Sequence, residues 1–422
     1  MITELEIKNY KSIRELQLPL GRINVFIGEN GAGKSNILEV IALAAAAAAD
    51  KLDHEFLSSR GIRVTSPEFM RPAFPLADPS VPIEITAKTA DDRKVGFHLN
   101  NDNTPYSKWT ASIPQGTFSV IQLLQKQIIA KYVNDGDETE EIDRLKALVD
   151  FSAALGKTIK EYEEKGTVEI PEDKFSSDLN SNKASFSLLQ LLSKEALKSA
   201  NPIPELPSFV IFSPENSALR IFDREGQIEP LGINGEGLLK LLSFYASRSD
   251  DATLTKVKNS LKLFDWFDDF VTESVPSEAR LLVRDRFLDE NVKSFDHRST
   301  NEGFFFLLFY FLLFNSELTP TFFAIDNIDA SLNPKLCEKL IQELSALAKA
   351  NDKQAILTTH NPAVLDGLDL NDDEQRLFVV SRGRDGTTKV KRIQKPEPVN
   401  GNHLRLSELF IRGLIGGLPK GF

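Results

Sequence analysis

The chain has 422 residues, 50 basic and 61 acidic, for a formal net charge of −11. That balance argues against a protein that coats nucleic acid over its whole surface, but leaves room for a local basic groove. At roughly 150 residues per domain the length suggests about two to three domains, enough to bury a core without disulfide or metal staples. The single cysteine, Cys337, excludes an intramolecular disulfide framework.

The opening MITELEIKNYKSI is charged and alternating, unlike a secretory signal. Residues 3–8 and 14–18 alternate apolar and polar, which predicts strands. Residues 22–27, RINVFI, read as a buried strand that runs straight into GENGAGKS. A helix is expected from about Lys34 to Asp50, its second half the run Ala44–Ala49. Strands and turns follow over 80–115, then a charged helical insertion over 116–205. A strand resumes at 208–213, and helices are expected from about 236 to 271.

The longest apolar run is Phe304–Phe314, FFFLLFYFLLF. A membrane span needs about 20 such residues, so a deeply buried helix is expected and the chain reads as soluble and cytoplasmic, with no membrane partner. Beyond it come a strand (FFAID), a helix from Pro334, a strand (QAILTT) and a hairpin from Arg376 to Ile393. Strand–helix alternation at both ends indicates an α/β core. The acidic stretch Asp366–Glu374 reads as a solvated turn. The remaining histidines show no zinc spacing.

Gly28-Glu-Asn30-Gly31-Ala-Gly33-Lys34-Ser35 fits G-x-x-x-x-G-K-[ST] without a mismatch. Glycines let the backbone curl until its amides face phosphate oxygens, and the helix start adds a positive end. Lys34 is placed to reach the β- and γ-phosphates and Ser35 to ligate Mg²⁺, with Asn30 and Asn36 flanking the nucleotide. Phe322–Asp326 is an apolar strand ending in a carboxylate, as a Walker B aspartate is presented to magnesium. Gln354–His360 is another buried strand, ending in a histidine.

With these motifs in this order, the chain resembles ABC-type ATPases of the RecF/SMC class, and within it the bacterial OLD-like AAA family ATPases. The opening strand–loop–helix and the ending LSELFIRGLIGGLP carry the likeness. The resemblance implies an α/β fold: an ABC-type ATPase head, with a mixed sheet flanked by helices and an inserted helical arm. It implies a first lobe over 1–115, the insertion over 116–205, a strand plus helical arm over 206–295, and a second lobe over 296–422.

Residue by residue, the resemblance puts Ser299, Asn301 and Gly303 at the ABC signature, which meets the γ-phosphate of the nucleotide on the opposite subunit. Ala330–Asn333 takes the D-loop position, and His360 matches the switch histidine. No glutamine lies between Asn36 and Gln115 to serve as a Q-loop; Ser59–Arg63 is either a linking segment in its place or a salt-bridged surface.

One departure stands out. The family has Asp-Glu at the end of Walker B, where this chain has Asp326-Asn327. An amide orients water but cannot accept its proton at neutral pH. Three readings stay open: a slow or pseudo-hydrolytic ATPase, a carboxylate supplied by Asp329, or an engineered trapping substitution. Only 62 residues follow His360, too few for a Toprim nuclease. The expected function is therefore an ATP- and Mg²⁺-dependent clamp or sensor, an ATP-sandwich homodimer or higher oligomer, that controls a separate nuclease or toxin in anti-phage defence. The alternatives are a RecF-like repair ATPase that contacts DNA and a nucleotide-binding scaffold.

Overall fold

A computed structural model describes residues 1–74, 78, 80–104, 107–112, 203–222, 228–248, 252–275, 278–289, 292, 294–397 and 404–418. All of them belong to one unit formed by residues 1–112 and 203–422. The helical insertion expected at 116–205 lies outside the described residues except for 203–205.

The centre is a six-stranded sheet. It contains β3 (Ile23–Gly28), β7 (Ile211–Phe212), β11 (Phe322–Ile325), β12 (Gln354–Thr359), β13 (Gln375–Arg382) and β14 (Thr388–Ile393). The spatial order is β14-β13-β3-β12-β11-β7, parallel except for the β13–β14 hairpin. Parallel strands covered on both faces read as continuous apolar runs. β3 and β12 are buried at every position. Side chains still divide by parity: Ile23, Val25 and Ile27 enter one core, and Phe26 the other.

The first core holds the phenylalanine run. Helix α6 (Glu302–Asn315) is buried all the way from Phe304 to Asn315. A helix apolar all round belongs in the middle of a core, as the sequence suggested. The second core lies between the central sheet, helix α1 (Lys34–Ala48) and a five-stranded antiparallel sheet. That sheet contains β1 (Ile2–Tyr10), β2 (Ile13–Pro19), β4 (Ile83–Thr89), β5 (Lys94–Asn100) and β6 (Thr110–Ser112). Ala42 and Ala44–Ala46 are fully buried there; small side chains let α1 lie close to the strands. Buried Gln354 ties the two sheets together, accepting from Ile2 N (3.0 Å) and donating to the carbonyls of Ile2 and Gly21.

Two expectations are corrected. The strand over 208–213 shrinks to β7, because Leu206–Ser208 with Pro207 forms a 3₁₀ turn. The helices over 236–271, and with them the helical arm over 206–295, stop early. They are α4 (Leu238–Ala246) and α5 (Ala252–Leu261), preceded by the short α3 (Asn216–Leu219). From Phe267 the chain forms a hairpin, β8 (Phe267–Val275) and β9 (Glu278–Asp285), joined by β10 (Phe295–Asp296). Period-2 alternation in RLLV decides it: Leu281 and Val283 are buried, while Leu282 is only half-buried.

Candidate functional site

The site forms where β3, β12 and β11 end side by side. Between β3 and α1 the chain turns through Gly28–Gly33. Gly33 has φ 108°, and a Cβ there would stand 2.1 Å from Thr388 Oγ1, so only glycine fits. Thr388 donates to the carbonyl of Ala32 (2.9 Å) and shares a 2.6 Å hydrogen bond with Ser12, which also accepts from Asn36 (2.7 Å). The loop is thus clasped from outside by hydroxyls of β14 and of the β1–β2 turn. Asn36 spends its amide on that clasp, while Asn30 and Gly31 stand exposed at the crest.

Lys34 is 6% exposed, and its ammonium donates to the carbonyls of Gly28 (2.8 Å) and Glu29 (3.0 Å). An ammonium has three donors, so one remains for a ligand. Burial pulls its pKa below the ordinary lysine value, against the opposing pull of Asp326, Glu29 and Asp329.

Asp326 follows β11. Its Oδ2 accepts from Ser35 Oγ at 3.3 Å, and its Oδ1 from Thr358 Oγ1. The Ser35–Asp326 pair of hard oxygens fits Mg²⁺, which takes one or two protein ligands and completes its shell from water and phosphate. No cluster of three or more His, Cys, Asp or Glu is present among the described residues. Asn327 donates its backbone N–H to Thr358 Oγ1 (2.9 Å), is exposed, and has φ 57°. Asparagine tolerates that left-handed conformation better than glutamate does. Asp329 turns back to the site, where Oδ1 accepts from Thr359 Oγ1 at 2.6 Å.

His360 comes next in the chain. Burial and the Lys34 charge lower its pKa, while Asp329, Asp326 and a hydrogen bond to the Gly28 backbone act to raise it. Lys34, Asp326, Asp329 and His360 therefore lie within electrostatic reach of one another. Thr358 and Thr359 were not singled out from the sequence. The signal was there: two hydroxyls at the end of a buried strand, just before the histidine.

The signature residues lie elsewhere. Asn301, not Ser299, heads α6: its side chain accepts from Phe304 N (2.9 Å). Ser299 sits in the turn before it, its backbone N–H and hydroxyl both on the Asp296 carboxylate. Arg220, also missed from sequence, grips this turn through the carbonyls of His297, Arg298 and Thr300 and stacks on Phe305. Gly303 lies against the Ser331 carbonyl, and Ser331 donates to Glu302 (2.5 Å), so signature and D-loop positions touch within one chain.

The Ser59–Arg63 segment resolves into a specific contact. Glu39 on α1 is 2% exposed and accepts from Arg63 (2.7 Å), Lys11 (2.5 Å) and Tyr10 (3.2 Å). Arg63 also feels Asp326, so the cluster backs the carboxylate end of the site. The acidic stretch 366–374 is more than a solvated turn: Asp366 accepts from Ser407, and Asp373 and Glu374 pair with arginines.

A family model described as "AAA domain" matches residues 4–229, more than half of the chain. A second, "AAA domain, putative AbiEii toxin, Type IV TA system", matches 302–366. An uncharacterized protein, MJECL10 of Methanocaldococcus jannaschii, is 54% identical over 44 residues. The OLD nuclease of Thermus scotoductus is 42% identical over 43. The matched stretches cover 10% of this chain in each case, and 20% and 8% of those relatives. Among solved structures, the SMC head bound to the C-winged helix domain of ScpA matches with TM-score 0.48 at 14% identity, over 93% of this chain and 98% of that one. The SMC head domain of Thermotoga maritima matches with TM-score 0.43 at 14% identity, over 93% and 99%. No helix among the described residues is long and apolar enough to cross a membrane.

Proposed function

The chain belongs to the AAA domain family, and from that premise we propose that it is an ATPase working as a nucleotide-gated homodimeric clamp. The observation that carries this reading is a convergence at the ends of three adjacent parallel strands. A phosphate-loop lysine, a serine–aspartate oxygen pair, a second carboxylate and a histidine meet there. The amides of Gly31–Ser35 and the α1 start would hold the phosphates, and Lys34 the β- and γ-oxygens. Magnesium, held by Ser35 and Asp326, would neutralise phosphate charge.

The start of α6 is the part left for a second copy. Its cap is Asn301, and the backbone N–H groups of Glu302 and Gly303 form an anion-facing end. Two copies head to tail would each give Lys34 and Asp326 to one ATP and Asn301–Gly303 to the other. Glu302, held by Ser331, would carry nucleotide state to the D-loop position. The clamp would gate a separate nuclease or toxin in a defence system. The short likeness to the OLD nuclease and the toxin-linked family model support that extension.

The test is solution mass and ATP binding with Mg²⁺. ATP should convert a monomer to a dimer. Lys34→Ala should weaken ATP binding about a hundredfold, as loss of charge-assisted phosphate contacts implies, and abolish the conversion. A dimer indifferent to ATP and to Lys34→Ala overturns the clamp. Tight, salt-sensitive DNA binding by the chain alone would favour the repair ATPase.

A further inference from the structure

The segment 404–418 belongs to none of the nucleotide motifs, yet it reaches the phosphate loop and the turn that follows His360. Helix α8 (Leu406–Ile411) buries Leu409 and Phe410. Just inside it, Ser407 donates its backbone N–H (2.9 Å) and its hydroxyl (2.6 Å) to the two oxygens of Asp366. Asp366 lies in the 3₁₀ turn Pro362–Gly367, which begins two residues after His360. This end of the segment is therefore latched to the turn that leaves the histidine.

The other end reaches the phosphate loop. Gly417 has φ 87°, and a Cβ there would stand 2.7 Å from Val379 Cγ1, 3.0 Å from Phe410 Cε2 and 3.8 Å from Gly28 Cα. Val379 cannot step aside: it is 4% exposed in β13 and in register with Ile27, next to the Val380–Gly28 pair. Gly28 is thus packed between β13 and the segment. Its carbonyl holds the Lys34 ammonium at 2.8 Å, and its backbone lies within reach of the His360 imidazole.

We propose that residues 405–417 are a positioning strap for the nucleotide site. The strap fixes Gly28 against the turn after His360, so the residue on which Lys34 and His360 both rest is held from behind. Phosphate contact at Lys34 and His360 then changes the packing of the strap, and a change in the strap alters nucleotide affinity. This rests on the ATP-binding reading above.

The test compares two positions in the same loop. Gly413 and Gly417 are both left-handed, at φ 71° and 87°, so valine strains the backbone similarly at each. Only position 417 faces Gly28 and β13; at 413 the nearest atom is Leu418 Cδ1 at 3.6 Å. Affinity for a fluorescent ATP analogue with Mg²⁺, read well below both melting temperatures because the 417 variant also meets Val379 and loses more thermal stability, should fall about tenfold in Gly417→Val and less than about twofold in Gly413→Val. Equal losses in the two, or none at 417, overturn the proposal. Hydrogen exchange on the native chain needs no variant: amides 409–417 should gain protection when ATP binds. Unchanged exchange with ATP bound overturns the strap alone. A native chain that binds no ATP overturns the function, and the strap with it.

Discussion

The ends of β3 and β11 are separated in the sheet only by β12, and they are built in opposite ways. After β3 the chain follows its motif without departure, and each turn of the loop has a named support: Thr388, Ser12 and Asn36 outside, Gly28 and Glu29 carbonyls under Lys34. After β11 the motif breaks at its second residue. Asn327 points its exposed side chain from a left-handed backbone, and the next carboxylate in reach, Asp329, is tethered to Thr359. Phosphate binding asks only for donors in fixed places, and one end supplies them. Hydrolysis asks for a base aimed at water, and at the other end we propose Asp329 for that part.

The largest effect should come from breaking that second end. Asp329→Asn keeps the size and the acceptor for Thr359 but removes the proposed base. ATP turnover should fall about 10²–10⁴-fold while ATP affinity stays within about threefold, read by steady-state phosphate release beside a binding titration. Turnover unchanged by Asp329→Asn would remove this carboxylate from the chemistry. Asn327→Glu is the weaker probe, because a glutamate at φ 57° adds about 1 kcal/mol or more of backbone strain.

The second effect sharpens the comparison from behind α1. Glu39 is a buried carboxylate answering two cations, Lys11 and Arg63. Lys11 is only 14% exposed, whereas Arg63, at 69%, can turn to water. Glu39→Gln leaves Lys11 without its counter-charge and should cost about 2–4 kcal/mol in urea unfolding. If stability holds but ATP binding fails, the cluster acts on the site rather than on the fold.

Legibility followed the same divide. The phosphate loop, the apolar strand ending at Asp326 and the buried phenylalanine helix could be read because each rests on local spacing; His360 drew attention through its order after the loop and Asp326. The hairpin from Phe267 was missed because FDDFVTES carries five acids or hydroxyls among its apolar residues, which hides the period-2 alternation. The resemblance put Ser299, Asn301 and Gly303 together at the signature, but only Asn301 caps the helix, while Ser299 is held by Asp296. The Glu39 cluster joins residues 28 and 24 positions apart in sequence, and Thr358 and Thr359 gained meaning only once β12 lay between β3 and β11. Such contacts are products of the sheet order, which no single window of sequence states.

The smallest effect tests how closely the two ends are coupled through His360. Its pKa is held below the ordinary 6.5 by burial and by Lys34, against Asp329 and Asp326. As the pH falls, the unfolded chain takes up its proton first. The stability contributed by the neutral imidazole is therefore complete above pH 6.5 and is lost as the pH drops through the lower folded value. Between about pH 7 and 5 the native melting temperature should fall slightly more than that of His360→Gln, by less than about 2 °C. The sharper readout is the imidazole titration by NMR. Lys34→Met should raise the His360 pKa and Asp329→Asn should lower it. Two shifts of opposite sign would place the histidine between the phosphate-binding end and the carboxylate end, and no shift from either variant would separate them.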